Sequence, residues 1–323
     1  MSLSIAVGVD IAKAKFDAAV LRDGKFRTKV FANTPAGFKA FIQWLSDHGA
    51  AQCPVCMEAT GSYYEALALY LVDLAIPVSV VNPLQIARYG EVTGSRNKTD
   101  GQDARLIARF CATQQPERWH APSPATRELR DLVRRLEALL DLERQEKNRL
   151  STAGSLTRAS IEAVLALLDE QIKEIRAAIA QHIDRDPDLR DKAGLMNSIP
   201  GVGEATIAVI LAELPASVMQ SVARADAFTG LAPRIRESGS SVRGRGMLSK
   251  QGTPRIRRTL YFPAIVATRY NPVVKAFYER MVANGLNKKQ AICAAMRKLL
   301  HLIIGVLKSG KPFDPAFHLS NKR

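Results

Sequence analysis

The sequence predicts an α/β domain followed by a mostly helical, all-α region, and three features of the chain lead to this fold class. Strand and helix patterns alternate over residues 1–115, which is typical of a mixed sheet with helices packed against it. Leucine and isoleucine then recur at helical spacing, and helical patterns continue towards the end of the chain. Aromatic residues make up only 6% of the chain, so aliphatic residues must fill the cores, which favours helices. We therefore expect an α/β domain over 1–115, a linker with coiled-coil helices over 116–188, and a mostly helical domain over 189–323.

The α/β domain is predicted to contain five strands. Short apolar runs suit buried strands, and Asp23-Gly24 is a dipeptide favoured in the type I′ turn of a hairpin. The expected strands are Ser4–Asp10, Lys15–Arg22, Lys25–Phe31, Cys53–Met57 and Ile76–Val81.

Three helices are expected among these strands. Thr34 can cap the first, because its hydroxyl can accept a backbone N–H, and Pro35 fits the first helical turn. The second helix covers Ser62–Leu74, and the third follows Thr99 with apolar residues spaced for one buried face. The order is therefore strand, hairpin, helix, strand, helix, strand, helix.

A proline-rich segment, Pro116–Pro124, is predicted to link this domain to two long helices. The first, Glu128–Leu150, is highly charged, and the second begins near Ser160. The second helix carries a heptad stripe, which is typical of a coiled-coil hairpin or of a seam between subunits, although an ordinary bundle would also produce it. The stripe consists of Ile161, Leu165, Leu168, Ile172, Ile175 and Ile179. We expect it to hold a dimer or a tetramer together.

A glycine-rich turn near the start of the last region is similar to the hairpin of a helix-hairpin-helix module. The turn, Ser198–Gly203, precedes an apolar helix, Ala205–Leu214. In such a module glycines let backbone N–H groups approach a DNA phosphate, so Gly201 and Gly203 are candidate contacts. An ordinary turn between two helices is the alternative. The further helices expected in this region are Pro254–Tyr270 and Lys288–Leu307.

The net charge is the most unusual property of the composition. Lys and Arg number 46 against 31 Asp and Glu, which gives a formal charge of +15 and a pI near 9.9. Such an excess indicates a polyanionic partner, because each neutralised phosphate releases counterions. We expect no membrane partner, since no apolar run reaches the roughly 20 residues of a spanning helix and no signal peptide is recognisable. The four cysteines do not make a disulfide framework in a chain of this length. These properties predict a soluble, cytoplasmic nucleic-acid-binding protein.

Four carboxylates occupy positions at which a metal site can form. Asp10 and Glu58 each end a strand, and Asp100 and Asp103 lie one turn apart at the start of a helix. The two strand ends can lie side by side, and the helix can pack across them. Clustered carboxylates are normally tolerated only with cations between them, and hard oxygen ligands suit Mg²⁺. We expect two Mg²⁺ ions, with Mn²⁺ as the alternative metal. In the alternative interpretation the acids are ordinary charges at the start of a helix and at the ends of strands, and no metal binds to them.

A basic segment with several glycines follows in the helical region. From Arg234 to Arg258 there are eight Lys and Arg residues and one acid, Glu237. Guanidinium groups can bind a phosphate and stabilise the transition state of its transfer. The residues alone do not decide between a covalent role and simple phosphate binding. They also do not decide which of the three serines in the segment would act: Ser238, Ser240 or Ser241. The candidate nucleic-acid contacts in the chain, besides the two glycines, are Arg96, Lys98, Arg234, Arg236, Arg243, Arg245 and Lys250.

Six motifs occur along the chain in a distinctive order. They are Val7-Gly-Val-Asp10-Ile-Ala-Lys13, Met57-Glu58-Ala-Thr-Gly61, Arg96-Asn-Lys-Thr-Asp100-Gly-Gln-Asp103-Ala-Arg105, Ile199-Pro-Gly-Val-Gly203, Gly230-Leu-Ala-Pro233 and Glu237-Ser-Gly-Ser-Ser-Val-Arg-Gly244. From about residue 5 to Asp314 the chain resembles the bacterial insertion-sequence transposases of DEDD type. The resemblance implies an RNase H-like (RuvC-like) domain over 1–115, a coiled-coil region, and a transposase domain over 189–323.

The resemblance also implies a mechanism and its partners. Members of that family are recombinases that a structured bridge RNA, encoded by the element, guides to target and donor DNA. The family's metal-binding carboxylates fall on Asp10, Glu58, Asp100 and Asp103, and its nucleophilic serine falls on Ser238. That serine would form a phosphoserine link to DNA, and the carboxylates of a partner subunit would complete the site. A bacterial, nucleoid-associated location follows from the same resemblance.

Two other functions stay open from the residues. A metal-dependent, structure-specific nuclease would use the four carboxylates with water as the nucleophile and would form no covalent link to DNA. A non-catalytic nucleic-acid-binding protein would use the hairpin and the basic segment without cutting DNA.

Overall fold

The computed structural model describes residues 5–59, 61–94, 100–234, 237–238, 242–243 and 247–316. The chain divides into two compact units, Met1–Ala121 and Pro122–Arg323. Most of the proposed region 116–188 and all of the proposed domain 189–323 belong to the second unit.

The first unit is built on a five-stranded mixed sheet with the strand order β3-β2-β1-β4-β5. Strand β1 runs parallel to β4 and antiparallel to β2, β4 runs parallel to β5, and β2 and β3 form an antiparallel hairpin. Both residues of its turn, Asp23 and Gly24, have positive φ angles, as a type I′ turn requires. The strands are β1 Ala6–Ile11, β2 Lys15–Arg22, β3 Lys25–Ala32, β4 Val55–Glu58 and β5 Val78–Val81. The predicted mixed α/β class is confirmed, and this topology is consistent with an RNase H-like domain.

Four helices accompany the sheet in the described part of this unit: α1 Pro35–Asp47, α2 Glu65–Asp73, α3 Pro83–Val92 and α4 Asp100–Gln114. The Thr34 hydroxyl caps α1 by accepting the N–H of Gly37, as expected. Helix α3 is absent from the sequence prediction. It buries only Ile86 and Gly90, so it lacks a clear apolar stripe, although Asn82 caps it and Pro83 occupies its first turn.

The two faces of the sheet carry different cores. One face packs against α1 and α2 through a cluster rich in aromatic rings, in which Phe16 contacts Phe31 and Phe41. The other face packs against α4 through small residues, including Ala6, Ala19 and Cys56. Small side chains allow a helix to approach a sheet closely, and this property positions the candidate site described below.

The second unit is mostly helical, as predicted. Its helices are α5 Pro124–Thr152, α6 Ser155–Arg185, α7 Pro187–Asn197, α8 Glu204–Glu213, α9 Ala216–Met219, α10 Val222–Thr229, α11 Pro254–Thr259, α12 Tyr261–Tyr270, α13 Pro272–Ala283 and α14 Lys288–Ser309. Its short strands are β6 Pro233–Arg234, β7 Glu237–Ser238, β8 Val242–Arg243 and β9 Met247–Leu248. The predicted helix Pro254–Tyr270 is two helices that meet at Leu260.

The heptad stripe of α6 packs against α5 of the same chain. Leu168 and Ile172 are buried together with Leu139, and Ile179 is buried with Leu129 and Val133. The stripe therefore forms the seam of a coiled-coil hairpin within the chain, and its role in joining subunits stays a prediction. Antiparallel helices joined by the short link between Thr152 and Ser155 satisfy the apolar face within one chain.

Within the described residues, one helix is long and apolar enough to cross a membrane by length and composition alone. This helix is α14, and half of its apolar window is buried inside the protein. Its buried residues, among them Leu299, Leu300 and Ile303, belong to the main core of the second unit. Packing in that core accounts for its apolar composition.

Candidate active site

Helix α4 lies directly on strand β1. Gly8 faces the helix backbone so closely that a Cβ atom there would lie 2.2 Å from the carbonyl oxygen of Ala104 and 2.2 Å from the backbone nitrogen of Ala108. No side chain fits in that space, so glycine at position 8 sets the separation between helix and sheet.

The direction of α4 follows from contacts near its carboxyl end. The Sγ atom of Cys111 donates to the carbonyl oxygen of Pro54, at 3.7 Å, just before β4 begins. A hydrogen bond to Cys111 and burial together raise the pKa of the Cys56 thiol. Because the end of α4 lies over the start of β4, the amino end of α4 lies at the carboxyl ends of β1 and β4.

The sheet register brings Asp10 and Glu58 to this same edge. Val9 pairs with Met57, so Asp10 and Glu58 follow on neighbouring strands. Side chains alternate along a strand, and Cys56 faces α4, which places Asp10 and Glu58 on the α4 side of the sheet. Both residues are half-buried, as is Asp103 in the first turns of α4.

These positions bring together one edge of the sheet and one end of a helix. Among the described side chains, no three His, Cys, Asp or Glu residues lie close enough to share a metal ion. The side chain of Asp100 is outside the described residues, and its backbone begins α4. Carboxylates at one sheet edge match the oxygen ligands that divalent cations prefer, so the donor set fits such a metal.

Asp17 is a further acidic residue at this edge that the sequence analysis missed. It lies opposite Asp10 in the β1–β2 register, and its carboxylate is 3.5 Å from the Nζ atom of Lys15. Its side chain is 14% exposed. The hairpin register was the only available signal, because Asp17 sits inside a strand and not at its end.

Ser238 lies in a short ribbon within the second unit. It pairs with Val242, and Glu237 pairs with Arg243, so β7 and β8 form an antiparallel inner pair. Strands β6 and β9 form an outer pair, in which Arg234 lies opposite Met247. Of the three candidate serines, Ser238 has a described backbone and lies on a paired strand, whereas Ser240 and Ser241 lie outside the described residues.

The Gly230-Leu-Ala-Pro233 motif anchors the base of this ribbon. Gly230 ends α10 in the left-handed conformation, with φ of 68°. The backbone nitrogen of Lys250 donates to the carbonyl oxygen of Gly230, and that of Ser249 donates to Ala232. Lys250 itself has φ of 54° and is exposed, as is Arg234. These two candidate phosphate contacts therefore flank the base of the ribbon.

A buried carboxylate supports the helix that precedes the ribbon. Asp226 in α10 accepts from the Nε atom of Arg297 at 2.7 Å and lies 2.9 Å from Nε2 of His301. Burial opposes its ionisation, but the hydrogen bonds from His301 and Arg297 outweigh burial and lower the pKa of Asp226. Sequence analysis found no role for His301, since its partner is 75 positions away.

The two hairpin glycines have different surroundings. Gly201 has φ of 99°, and a Cβ there would lie 2.9 Å from the side chain of Ala267 in α12. Gly203 is exposed and precedes α8, with open space where a Cβ would point. The geometry therefore explains Gly201 by packing and leaves Gly203 open to a ligand.

Several predicted contacts lie outside what the structure describes. Arg96, Lys98, Arg236 and Arg245 fall in the omitted ranges, and only the backbone of Arg243 is described.

Comparison with known proteins identifies the family. Residues 7–158 match a family model described as a transposase, and residues 193–279 match the model of the transposase IS116/IS110/IS902 family. The pilin gene-inverting proteins of Moraxella bovis and Moraxella lacunata are each 32% identical over 317 residues, which cover 97% of this chain and 98% of each relative. The insertion element IS110 43.6 kDa protein of Streptomyces coelicolor is 25% identical over 156 residues, 48% of this chain and 37% of that protein.

The chain is thus an enzyme, and its class is that of the DNA transposases and recombinases. The chain belongs to the IS110 family of transposases. The resemblance that the motif order indicated is therefore confirmed. DNA is a partner of this chain. The DEDD type of this family implies dependence on a divalent metal.

Proposed function

We propose that this chain is the transposase of an insertion sequence and that a bridge RNA guides it to target and donor DNA. It cuts and exchanges strands through a covalent bond between Ser238 and a DNA phosphate. The observation that carries the proposal is that α4, which begins at Asp100, starts at the edge of the sheet where β1 ends one residue after Asp10 and β4 ends at Glu58.

The carboxylates Asp10, Glu58, Asp100 and Asp103 would hold Mg²⁺, as two ions. When bound, the ions would stabilise charge on the attacking and leaving oxygens of the phosphoryl transfer. The close seating of Gly8 against α4 supports this role, because it holds the two groups of acids at a fixed separation.

Ser238 would supply the nucleophile. Its hydroxyl oxygen forms a bond to the phosphorus, the bond from phosphorus to a sugar oxygen breaks, and the hydroxyl proton ends on the released sugar hydroxyl. The phosphoserine ester keeps the energy needed to rejoin strands without a nucleotide cofactor. Arg234 and Lys250, which are exposed at the base of the ribbon, would neutralise the phosphate.

The partners follow from charge and from the relatives. A net charge of +15 supports binding of both RNA and DNA. The Moraxella relatives are named pilin gene-inverting proteins, which supports a recombination reaction on DNA for this chain. We propose that the chain acts in the bacterial cytoplasm, on the nucleoid, as a dimer or tetramer.

Reconstituted strand exchange tests this function. Purified protein would be mixed with Mg²⁺, the structured RNA encoded next to the gene, and DNA carrying the element's ends and a target. Sequencing should detect joined ends only when the RNA is present. Cleaved but never rejoined DNA would support a nuclease, and binding without cleavage would support a non-catalytic protein.

A further inference from the structure

The first unit contains an open pocket of about 430 Å³ beside α4. The end of α3, the exposed side of α4 and Phe26 of the β2–β3 hairpin line it, and its polar lining includes Gln102, Arg105 and Arg109. Ligand pockets span about 300–1,000 Å³, so this cavity is large enough for one small organic group.

Two guanidinium groups lie over one aromatic ring at this cavity. The Cζ atom of Arg105 is 6.0 Å from the centroid of the Phe26 ring, and that of Arg109 is 5.6 Å away. Both arginines are exposed and lie one helical turn apart. An anion can therefore reach both guanidinium groups from solvent.

An aromatic ring with two arginines over it suits a nucleotide better than a bare phosphate. A base can stack on a guanidinium plane that an aromatic ring supports, and this stacking tolerates any base. The guanidinium groups can bind the adjoining phosphate, and the amide of Gln102 offers a donor and an acceptor to a base edge. A paired base cannot enter, because it stays stacked within its duplex.

We propose that this cavity, formed by Phe26, Gln102, Arg105 and Arg109, binds one unpaired nucleotide of a single strand. The proposal rests on the proposed function and deepens it, since it adds a binding site for an unpaired segment of the guide RNA or of opened DNA. A nucleotide of RNA and a nucleotide of DNA would make the same stacking and phosphate contacts here, and the experiment below distinguishes the two.

Binding of labelled single-stranded RNA, single-stranded DNA and duplex DNA to the full chain, measured by fluorescence anisotropy over a range of salt, tests the site. Phe26→Leu should weaken binding of a single strand at least about fivefold without changing the salt slope, because it removes stacking and no charge. Arg105→Gln should reduce the salt slope by about one. The single strand with the larger loss, RNA or DNA, identifies the source of the nucleotide.

Two variants serve as controls. Arg27→Gln removes a cation from the same edge strand. Arg27 follows Phe26 directly, so its side chain lies on the opposite face of the sheet, and the change should affect binding of single strands and of duplex alike. Phe26→Tyr keeps the ring and should bind as the wild type does, which separates loss of the ring from loss of the fold.

Equal effects of Phe26→Leu on single strands and duplex, or no effect on any strand, would overturn the pocket while leaving the proposed function intact. Failure of the wild-type chain to bind any nucleic acid would overturn both.

Discussion

Gly8 of β1 lies against Ala104 of α4 with no room for a single methyl group between them. Because α4 begins at Asp100 and β1 carries Asp10, this contact fixes the distance between two parts of the proposed metal site.

Gly8→Ala should push α4 away from the sheet. Overpacking of this kind costs about 1–3 kcal/mol of unfolding free energy, and we expect DNA cleavage to fall further than binding. Gly101→Ala is a matched control for stability, because Gly101 lies in α4 with open space where a Cβ would point, and the change should raise stability slightly. Urea unfolding and a cleavage assay measure both effects. Wild-type cleavage by a folded Gly8→Ala chain would contradict this role of the contact.

Replacing any one of the four proposed metal ligands with Ala should abolish cleavage and leave nucleic-acid binding largely intact. The reason is that the carboxylates hold the metal, whereas basic residues supply most of the affinity. Asp23→Asn, in the exposed hairpin turn, is the control and should cleave normally. If Asp103→Ala keeps the wild-type cleavage rate, its assignment as a ligand is wrong.

Affinity for DNA should fall steeply with salt. Arg234→Gln should lower the slope of log affinity against log salt by about one, because each phosphate contact releases about one counterion. Arg190→Gln, on α7 beside Asp191, removes the same charge at a site outside the proposed surface and should leave the slope nearly unchanged. A slope near zero for the wild-type chain would contradict a role for phosphate contacts.

The lowered pKa of Asp226 predicts acid sensitivity. Its ionised form contributes stability above the pKa of an unfolded aspartate, and this contribution is lost as the pH falls through the lower, folded pKa. Asp226→Asn should cost about 2 kcal/mol at neutral pH, and the difference from wild type should shrink in acid. Urea unfolding over a pH series measures it. Asp188→Asn, an exposed ion-pair partner of Lys192, is the control and should show little change. A difference that does not vary with pH would contradict the ionic role.

Leu167 and Leu168 are neighbours on α6 with opposite exposure, 59% and 8%. Leu168→Glu should destabilise the α5–α6 hairpin by at least about 3 kcal/mol, because it buries a charge without a partner. Leu167→Glu should unfold at nearly the wild-type urea concentration. If Leu168→Glu instead yields a smaller but equally stable particle, the stripe joins subunits after all.

The sequence predicted those elements whose signals are local. The Asp23-Gly24 turn, the Thr34 cap and the apolar strands need only neighbouring residues, and all are present. Helices α3 and α13 were missed although Asn82 and Asn271 cap them and a proline occupies the first turn of each, because their apolar stripes are short. The position of Asp17 beside Asp10 depends on register, and the Asp226–His301 pair depends on helix packing. No local pattern encodes either contact.

Detection of a covalent protein–DNA adduct tests the central claim most directly. Protein, guide RNA, Mg²⁺ and end-labelled DNA should yield a labelled protein band that survives denaturation. Ser238→Ala should remove this band, whereas Ser240→Ala and Ser241→Ala should retain it at least in part. A band that persists in Ser238→Ala would place the nucleophile elsewhere, and active cleavage with no adduct would show that water is the nucleophile.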